Sequence, residues 1–343
     1  MTKIYDWKND INKNELENVI NTLKKNGLVI LPTETVYGLA ASAFSDAACQ
    51  KIFTAKGRAQ DNPLIVHVCN KEMIYDIVEK PTEIEEKLID TFMPGPFTLI
   101  LNKKKTICDT VTCGGPTVGI RMPSNQIINR VIAESNIPLA APSANVSSKP
   151  SGTIVEDIYE EFDNKVDLIV DGGKCNIGIE STVVKVIDGI PTILRPGFIT
   201  EDDIKKAIGE VNLSKNLFRK IDINERVESP GMKYKHYAPK TKCILVSTGN
   251  NQIEKINELI SKNTNICVLG FNEDKEKINI GKEKFISLGN KENLPEVSSN
   301  VFTSLRKVDK LNCSLAIIEG VEEKNLGLSI MNRLVRACEN DVI

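Results

Sequence analysis

The sequence predicts an α/β protein in two parts, a mixed α and β domain followed by a smaller Rossmann-like domain with a parallel sheet. Three observations carry that expectation. The chain has 343 residues, more than one ordinary core accommodates, so about two domains are expected. Short apolar runs alternate with amphipathic stretches along most of its length. The alternation breaks once, from about Glu201 to Lys240, and then resumes more cleanly. The domain limits expected from this are 1–205, a basic linker at 206–240, and 241–343.

In chain order, residues 11–26 predict a helix with Leu16, Val19, Ile20 and Leu23 on one face and Gly27 as its stop. A buried strand follows at 28–31. Further strands are expected at 64–68, 97–101, 118–121, 139–141, 168–171, 182–186 and 192–195, where apolar and β-branched residues cluster between turn residues. Helices are expected at 46–55, 71–78, 84–92 and 124–134. Beyond the linker come a strand at 243–246, a helix at 252–261, strands at 266–269 and 285–288, a helix at 297–307, a strand at 315–318 and a helix at 328–338. That order implies βαβ units and a doubly wound parallel sheet of about four strands. The second part has no GxGxxG fingerprint and the whole chain has no GxxxxGK[ST] loop, so topology alone assigns it no nucleotide.

Composition narrows the function classes. With 41% hydrophobic and 26% charged residues, the chain is built to bury cores, which excludes disorder, collagen and coiled coil. It has no run of 18 apolar residues and no apolar leader, so no membrane association and a cytoplasmic location are expected. The nine cysteines, at 49, 69, 108, 113, 175, 243, 267, 313 and 338, form no CxxC pair and no zinc spacing. Reduced, mostly buried thiols and no protein-bound metal are therefore expected. Net charge is −2, yet residues 205–240 hold nine Lys or Arg against four Asp or Glu. Such a segment is either a solvated face or a grip for a polyanion such as a nucleotide or RNA.

Polar residues crowd at the ends of the apolar strands of the first part. Leu31-Pro32-Thr33-Glu34-Thr35-Val36-Tyr37-Gly38 sets hydroxyls and a carboxylate directly after a strand; an ordinary capped turn reads the same way. Lys56-Gly57-Arg58-Ala59-Gln60-Asp61-Asn62 offers a point charge, a planar fork and an amide to phosphate oxygens, or merely decorates a helix end with cations. In Thr117-Val118-Gly119-Ile120-Arg121 the arginine ends an otherwise apolar strand, which is costly unless it is paired or holds an anion. Ala140-Ala141-Pro142-Ser143-Ala144-Asn145 combines small residues with groups able to orient a ligand, and Arg195 repeats the charged strand end. His67 closes an apolar strand and reads equally as a satisfied core residue. His236 lies in Ser229-Pro230-Gly231-Met232-Lys233-Tyr234-Lys235-His236-Tyr237-Ala238-Pro239, where rings and cations interleave.

Taken together, and in this order, these motifs resemble the YrdC-type threonylcarbamoyl-AMP synthases, in their long form with an extra C-terminal domain. The hallmark Lys-x-Arg and Ser-x-Asn pairs stand here as Lys56, Arg58, Ser143 and Asn145. The resemblance implies a YrdC-like twisted mixed sheet and synthesis of threonylcarbamoyl-AMP and pyrophosphate from L-threonine, bicarbonate or CO2, and ATP with Mg2+. A partner transferase would then deliver the threonylcarbamoyl group to position 37 of tRNA. It further implies threonine binding by Thr35, His67, Arg121, the Ala141 backbone and Ser181. ATP binding is implied for Lys56, Arg58, Asn62, Thr117, Ser143, Asn145, Ser151, Arg195, Tyr234 and His236, with Lys56 and Arg58 stabilising the phosphates during transfer and the 206–240 segment closing over the nucleotide. No covalent nucleophile is needed, because the carbamate itself attacks. The alternative reading is a non-catalytic module that binds duplex RNA or tRNA through the basic segment.

Overall fold

The computed structural model describes residues 1–217 and 236–343, which divide into two compact units. The first takes residues 1–147, 152–176 and the chain from Glu180 up to the end of the first described stretch. The second takes 148–151, 177–179 and the chain from 236 on. Among the described residues, no helix is long and apolar enough to cross a membrane.

Eleven strands form the sheet of the first unit. They are β1 (Lys3–Asp6), β2 (Val29–Leu31), β3 (Gly38–Ser42), β4 (Ile65–His67), β5 (Phe97–Asn102), β6 (Thr117–Arg121), β7 (Leu139–Ala140), β8 (Leu168–Asp171), β9 (Thr182–Ile187), β10 (Ile190–Arg195) and β11 (Asn212–Leu213). Their spatial order is β1-β8-β2-β3-β7-β4-β6-β5-β9-β10-β11. Parallel and antiparallel pairs mix: β4 runs parallel to β6 but antiparallel to β7, and β5 antiparallel to β6 but parallel to β9. Among the described residues of this unit the helices are α1 (Lys13–Lys24), α2 (Asp46–Lys56), α3 (Lys71–Ile77), α4 (Glu83–Phe92), α5 (Asp109–Thr112), α6 (Gln126–Ser135), α7 (Val155–Phe162) and α8 (Glu201–Ile208).

Local chemistry explains the boundaries. The Asn12 side chain accepts from the amides of Asn14 and Glu15 to start α1, and Leu16, Val19, Ile20 and Leu23 form its buried face. Ser45 caps α2, and Gly57 at φ 59° ends it in the left-handed region. These elements bury one continuous core around Val29, Ile30, Leu31, Leu39, Val66, Phe97, Leu99 and Ile120.

Residues 201–208, where the alternation is expected to break, are helical in α8. The Thr200 side chain takes the Asp203 amide and the Asp203 side chain returns to Thr200, a capping box followed by a single buried residue, Ile204. One buried position in eight residues leaves no period to read. The sequence also gave no sign of β3, whose small residues are buried throughout and do not alternate. Edge strand β1 buries only Tyr5, and α7, at eight residues, is shorter than the window over which periodicity decides.

The second unit holds four parallel strands, β12 (Lys242–Val246), β13 (Ile266–Gly270), β14 (Phe285–Ser287) and β15 (Leu315–Glu319), in the order β12-β15-β13-β14. Helices α9 (Gln252–Lys262), α10 (Leu294–Lys310) and α11 (Leu326–Ala337) supply the crossovers and flank. Its core includes Val246, Ile256, Val268, Leu315 and Ile317. This is the small parallel domain that the strand–helix alternation predicts.

Candidate active site

Strand ends of the first unit carry polar residues that pair with one another. Residue-for-residue pairing of β4 with β6 puts His67 beside Arg121, both at the carboxyl ends of their strands. The turn after β2 supplies Thr33, Glu34 and Thr35. Arg121 Nη1 donates to Thr35 Oγ1 at 2.8 Å, and Thr35 Oγ1 lies 2.9 Å from Thr33 Oγ1. Arg121 Nη2 lies 2.8 Å from Glu34 Oε1 as an ion pair, though not along a hydrogen-bonding direction. Ser181, just before β9, shares a hydrogen bond with Thr98 Oγ1 at 2.7 Å. Arg195 reaches back from β10, donating from Nη2 to the Ser181 carbonyl at 2.9 Å and to its Oγ at 3.2 Å. The Ala141 amide donates to Ile65 O at 3.0 Å, which places its backbone against the start of β4.

A second cluster forms around the end of α2. Lys56 is buried, and its ammonium donates to the Asn145 carbonyl at 2.6 Å and to the Ser143 carbonyl. Ser143 Oγ donates to Asn145 Oδ1 at 2.6 Å, so the Ser-x-Asn loop is braced from within. Glu161 on α7 accepts the Val146 amide at 2.7 Å and fixes the loop from the other side. Gly57 turns the chain so that Arg58 leaves the helix axis, and its guanidinium donates to Asn62 O at 3.0 Å and Pro63 O at 2.9 Å. The two clusters are stitched together. Ala144 N donates to Tyr37 O at 2.6 Å, and Gly38 bridges Ser143.

The structure therefore brings together Thr35, His67 and Arg121 in one group, Ser181 and Arg195 in another, and Lys56, Ser143 and Asn145 in a third. Thr117 opens β6 at the opposite end from Arg121, four residues or roughly 13 Å away along the strand. There Thr117 pairs with Asn102 of β5. Ser151 and His236 belong to the second unit; there the His236 ring lies 5.5 Å from that of Tyr237. Tyr234, and all of the 206–240 segment beyond residue 217 and before 236, lie outside the described residues.

Burial sets the charge states. His67 is 3% exposed, and desolvation, reinforced by the Arg121 charge, pushes its pKa down to about 3, so its imidazole is neutral at ordinary pH. Burial works to raise the Glu34 carboxyl, but the Arg121 charge and nearby backbone amides prevail and hold it below its usual range. Sequence reasoning quoted Glu34 without assigning it. Its only signal was a carboxylate directly after a buried strand, facing an equally unexplained arginine elsewhere in the chain. Thr98, which positions Ser181, left no signal at all. Among the described residues, no group of three or more His, Cys, Asp or Glu is arranged to hold a metal ion.

Comparison with known proteins identifies the family. The Sua5/YciO/YrdC family model, described as telomere recombination, matches residues 21–197, and the model for the threonylcarbamoyl-AMP synthase C-terminal domain matches 199–338. A threonylcarbamoyl-AMP synthase of Pyrococcus abyssi is 38% identical over 98% of this chain and 98% of its own. One from Bacillus subtilis is 40% identical over 94% of this chain and 92% of its own. The crystal structure of P. abyssi Sua5 complexed with L-threonine superposes with a TM-score of 0.93 at 37% identity, covering 100% of this chain and 99% of that one. Escherichia coli YciO, at 20% identity and a TM-score of 0.52 over 57% of this chain and 96% of its own, shares the fold of the first unit. With both family models matched in order and full-length relatives of one name, the chain belongs to the threonylcarbamoyl-AMP synthase family.

Proposed function

We propose that the strand-end cluster of the first unit seats L-threonine beside an ATP site built from Lys56, Arg58, Asn62, Ser143, Asn145 and Arg195, and that the chain joins them with bicarbonate or CO2 into threonylcarbamoyl-AMP. The observation that carries this reading is Arg121. It is a buried cation at a strand end, held on one side by Thr35 and Glu34, and no core-packing role explains it. A fork of this kind suits a carboxylate.

In this reading the threonine amine attacks CO2 and loses a proton to form a carbamate. A carbamate oxygen then attacks the α-phosphorus of ATP, and pyrophosphate leaves. The chain's own part is positioning and positive field. Arg195, anchored on Ser181, links the amino-acid side to the nucleotide side. Lys56 holds the Ser143–Asn145 loop in shape through its carbonyls. Neutral His67 offers a hydrogen bond and leaves Arg121 as the positive charge of the seat. Lys56 and Arg195 are buried cations that would repel a bare divalent ion, so Mg2+ would be held through the ATP phosphates and would supply charge neutralisation there. Thr117 serves the nucleotide from the other end of β6, while Tyr234, His236 and Ser151 remain proposed nucleotide contacts. Transfer to position 37 of tRNA falls to a partner enzyme. The family match favours this over an RNA-binding module without chemistry.

The test is pyrophosphate release from MgATP by the full chain, with L-threonine and bicarbonate omitted in turn. Release that needs both is expected. Release without threonine, or none under any condition from folded protein, would overturn the reading.

A further inference from the structure

We infer that Glu34 receives the α-ammonium of the amino-acid substrate, so that Glu34 and Arg121 together read both charges of a zwitterion. The inference rests on the synthase reading and names the residue that makes its amino-acid seat selective for an amine. Its starting point is a set of unused hydrogen-bonding atoms. Glu34 is 9% exposed, yet among the described residues neither of its oxygens meets a donor in full hydrogen-bonding geometry, the Arg121 ion pair and the nearby backbone amides acting on it through charge alone. Among the described residues, Nε of the buried Arg121 has no hydrogen-bond acceptor, its Nη2 meets Glu34 as an ion pair without a hydrogen-bonding direction, and Nδ1 of His67 has no hydrogen-bond partner. An ionised carboxylate has about four lone-pair sites, and native interiors seldom leave such groups unmet.

The geometry of what is unused identifies the ligand. Nε and Nη2 form one edge of the guanidinium, the side-on pair that grips a carboxylate with two parallel bonds. Nη1, on the other edge, is already spent on Thr35. Beside that edge, Oε1 of Glu34 stands 2.8 Å from Nη2. A plain anion would use the arginine and be repelled by Glu34; a plain cation would meet the reverse. Only a ligand carrying a carboxylate and an ammonium on neighbouring atoms uses donors and acceptors together, and an α-amino acid is that ligand. After carbamate formation the same nitrogen keeps an N–H for Glu34. The ionised state of Glu34 agrees with this role, since the Arg121 charge keeps its carboxyl low despite burial.

The test compares binding of L-threonine with that of its α-hydroxy analogue, 2,3-dihydroxybutanoate of the same configuration, by calorimetry on the full chain and on Glu34→Gln. Wild type is expected to prefer L-threonine by about 30-fold or more, the worth of a charge-assisted hydrogen bond in a buried site. Glu34→Gln is expected to lose most of that preference through weaker threonine binding, while the analogue changes by less than about threefold. Equal binding of both ligands by wild type would overturn the inference even if the variant does not fold. A variant that weakens both ligands equally would make Glu34 only a positioning residue for Arg121. Either result, alongside intact threonine-dependent pyrophosphate release, would leave the synthase reading standing. Wild type that neither binds threonine nor releases pyrophosphate would remove both.

Discussion

At the carboxyl ends of β4 and β6 the first unit buries Arg121 and His67 beside Glu34, and at the carboxyl ends of β13 and β15 the second unit buries Glu319 beside Asp274 and Lys291. The ingredients are alike, but their saturation is opposite. Lys291 Nζ has three hydrogens and three acceptors: Glu319 Oε1 at 3.0 Å, and Asp274 Oδ2 and Gln252 Oε1 at 3.3 Å. The Phe271 amide occupies Glu319 Oε2, and Gln252 Nε2 donates to the carbonyls of Val246 and Gly320. Among the described residues, no buried polar side-chain atom of that cluster is without a partner. In the first unit, Glu34, Arg121 and His67 all keep unused polar atoms. Buried charge at a strand end is therefore not in itself a site; unspent hydrogen-bonding capacity distinguishes the one that binds.

The sharpest way to break this contrast is to remove one charge from each cluster. Arg121→Ala leaves Glu34 buried without its counter-charge. Threonine-dependent pyrophosphate release should fall by more than about a hundredfold, with a stability loss of about 3–5 kcal/mol by denaturant unfolding. Retained threonine dependence would show that the carboxylate binds elsewhere. Lys291→Ala, in a cluster about a third exposed at its lysine, should cost about 2 kcal/mol in unfolding of the second unit, discounted for that solvent access. Threonine affinity should stay unchanged. A threonine KM raised tenfold or more by Lys291→Ala would erase the distinction between the clusters.

Acidity separates them next. Glu319 is wholly buried, and although Lys291 and the Phe271 amide oppose it, desolvation pushes its carboxyl up to about 7. Its unfolded counterpart ionises near 4.3. The stability that depends on Glu319 staying protonated is thus full below that value and drains away as pH rises toward 7. His67 works in the reverse direction. Its imidazole titrates near 3 in the folded chain and near 6.5 unfolded. Its contribution is present above 6.5 and is lost as pH falls toward 3. Each limb has a limiting slope of about 1.4 kcal/mol per pH unit. Glu319→Gln should flatten the limb between 4.3 and 7 and His67→Gln the acid limb, read from urea unfolding across pH; a variant that flattened the other limb would reverse the assignment.

How much was legible in advance differs between particular residues. Lys56, Arg58, Ser143 and Asn145 announce themselves because glycine, small residues and charges are packed into short segments, and local chemistry of that kind survives in the linear order. Arg121 was legible from the cost of a lone charge ending an apolar strand. Glu34 was not, because a carboxylate in a Thr-Glu-Thr turn looks like any cap until the arginine it faces is known. The helix at Glu201, where alternation breaks in the sequence, is hidden for a related reason: α8 is held by a capping box and one buried isoleucine.

By itself, the sequence determined the α/β class, most strand and helix positions, the four parallel strands of the second unit and the set of motifs that mark the family, since hydrophobic period, turn residues and caps act over a few positions. Only the tertiary structure decided which strand ends meet. His67 and Arg121 become neighbours through a parallel pairing of β4 with β6, Thr117 is carried to the far end of the same strand, and Ser181 meets Arg195 across an antiparallel turn. Those pairings depend on a strand order that interleaves early and late segments. Burial, and with it the state and the unused valence of each charged group, follows from that order, because desolvation is a property of every element packed around a side chain and is not written at any one position.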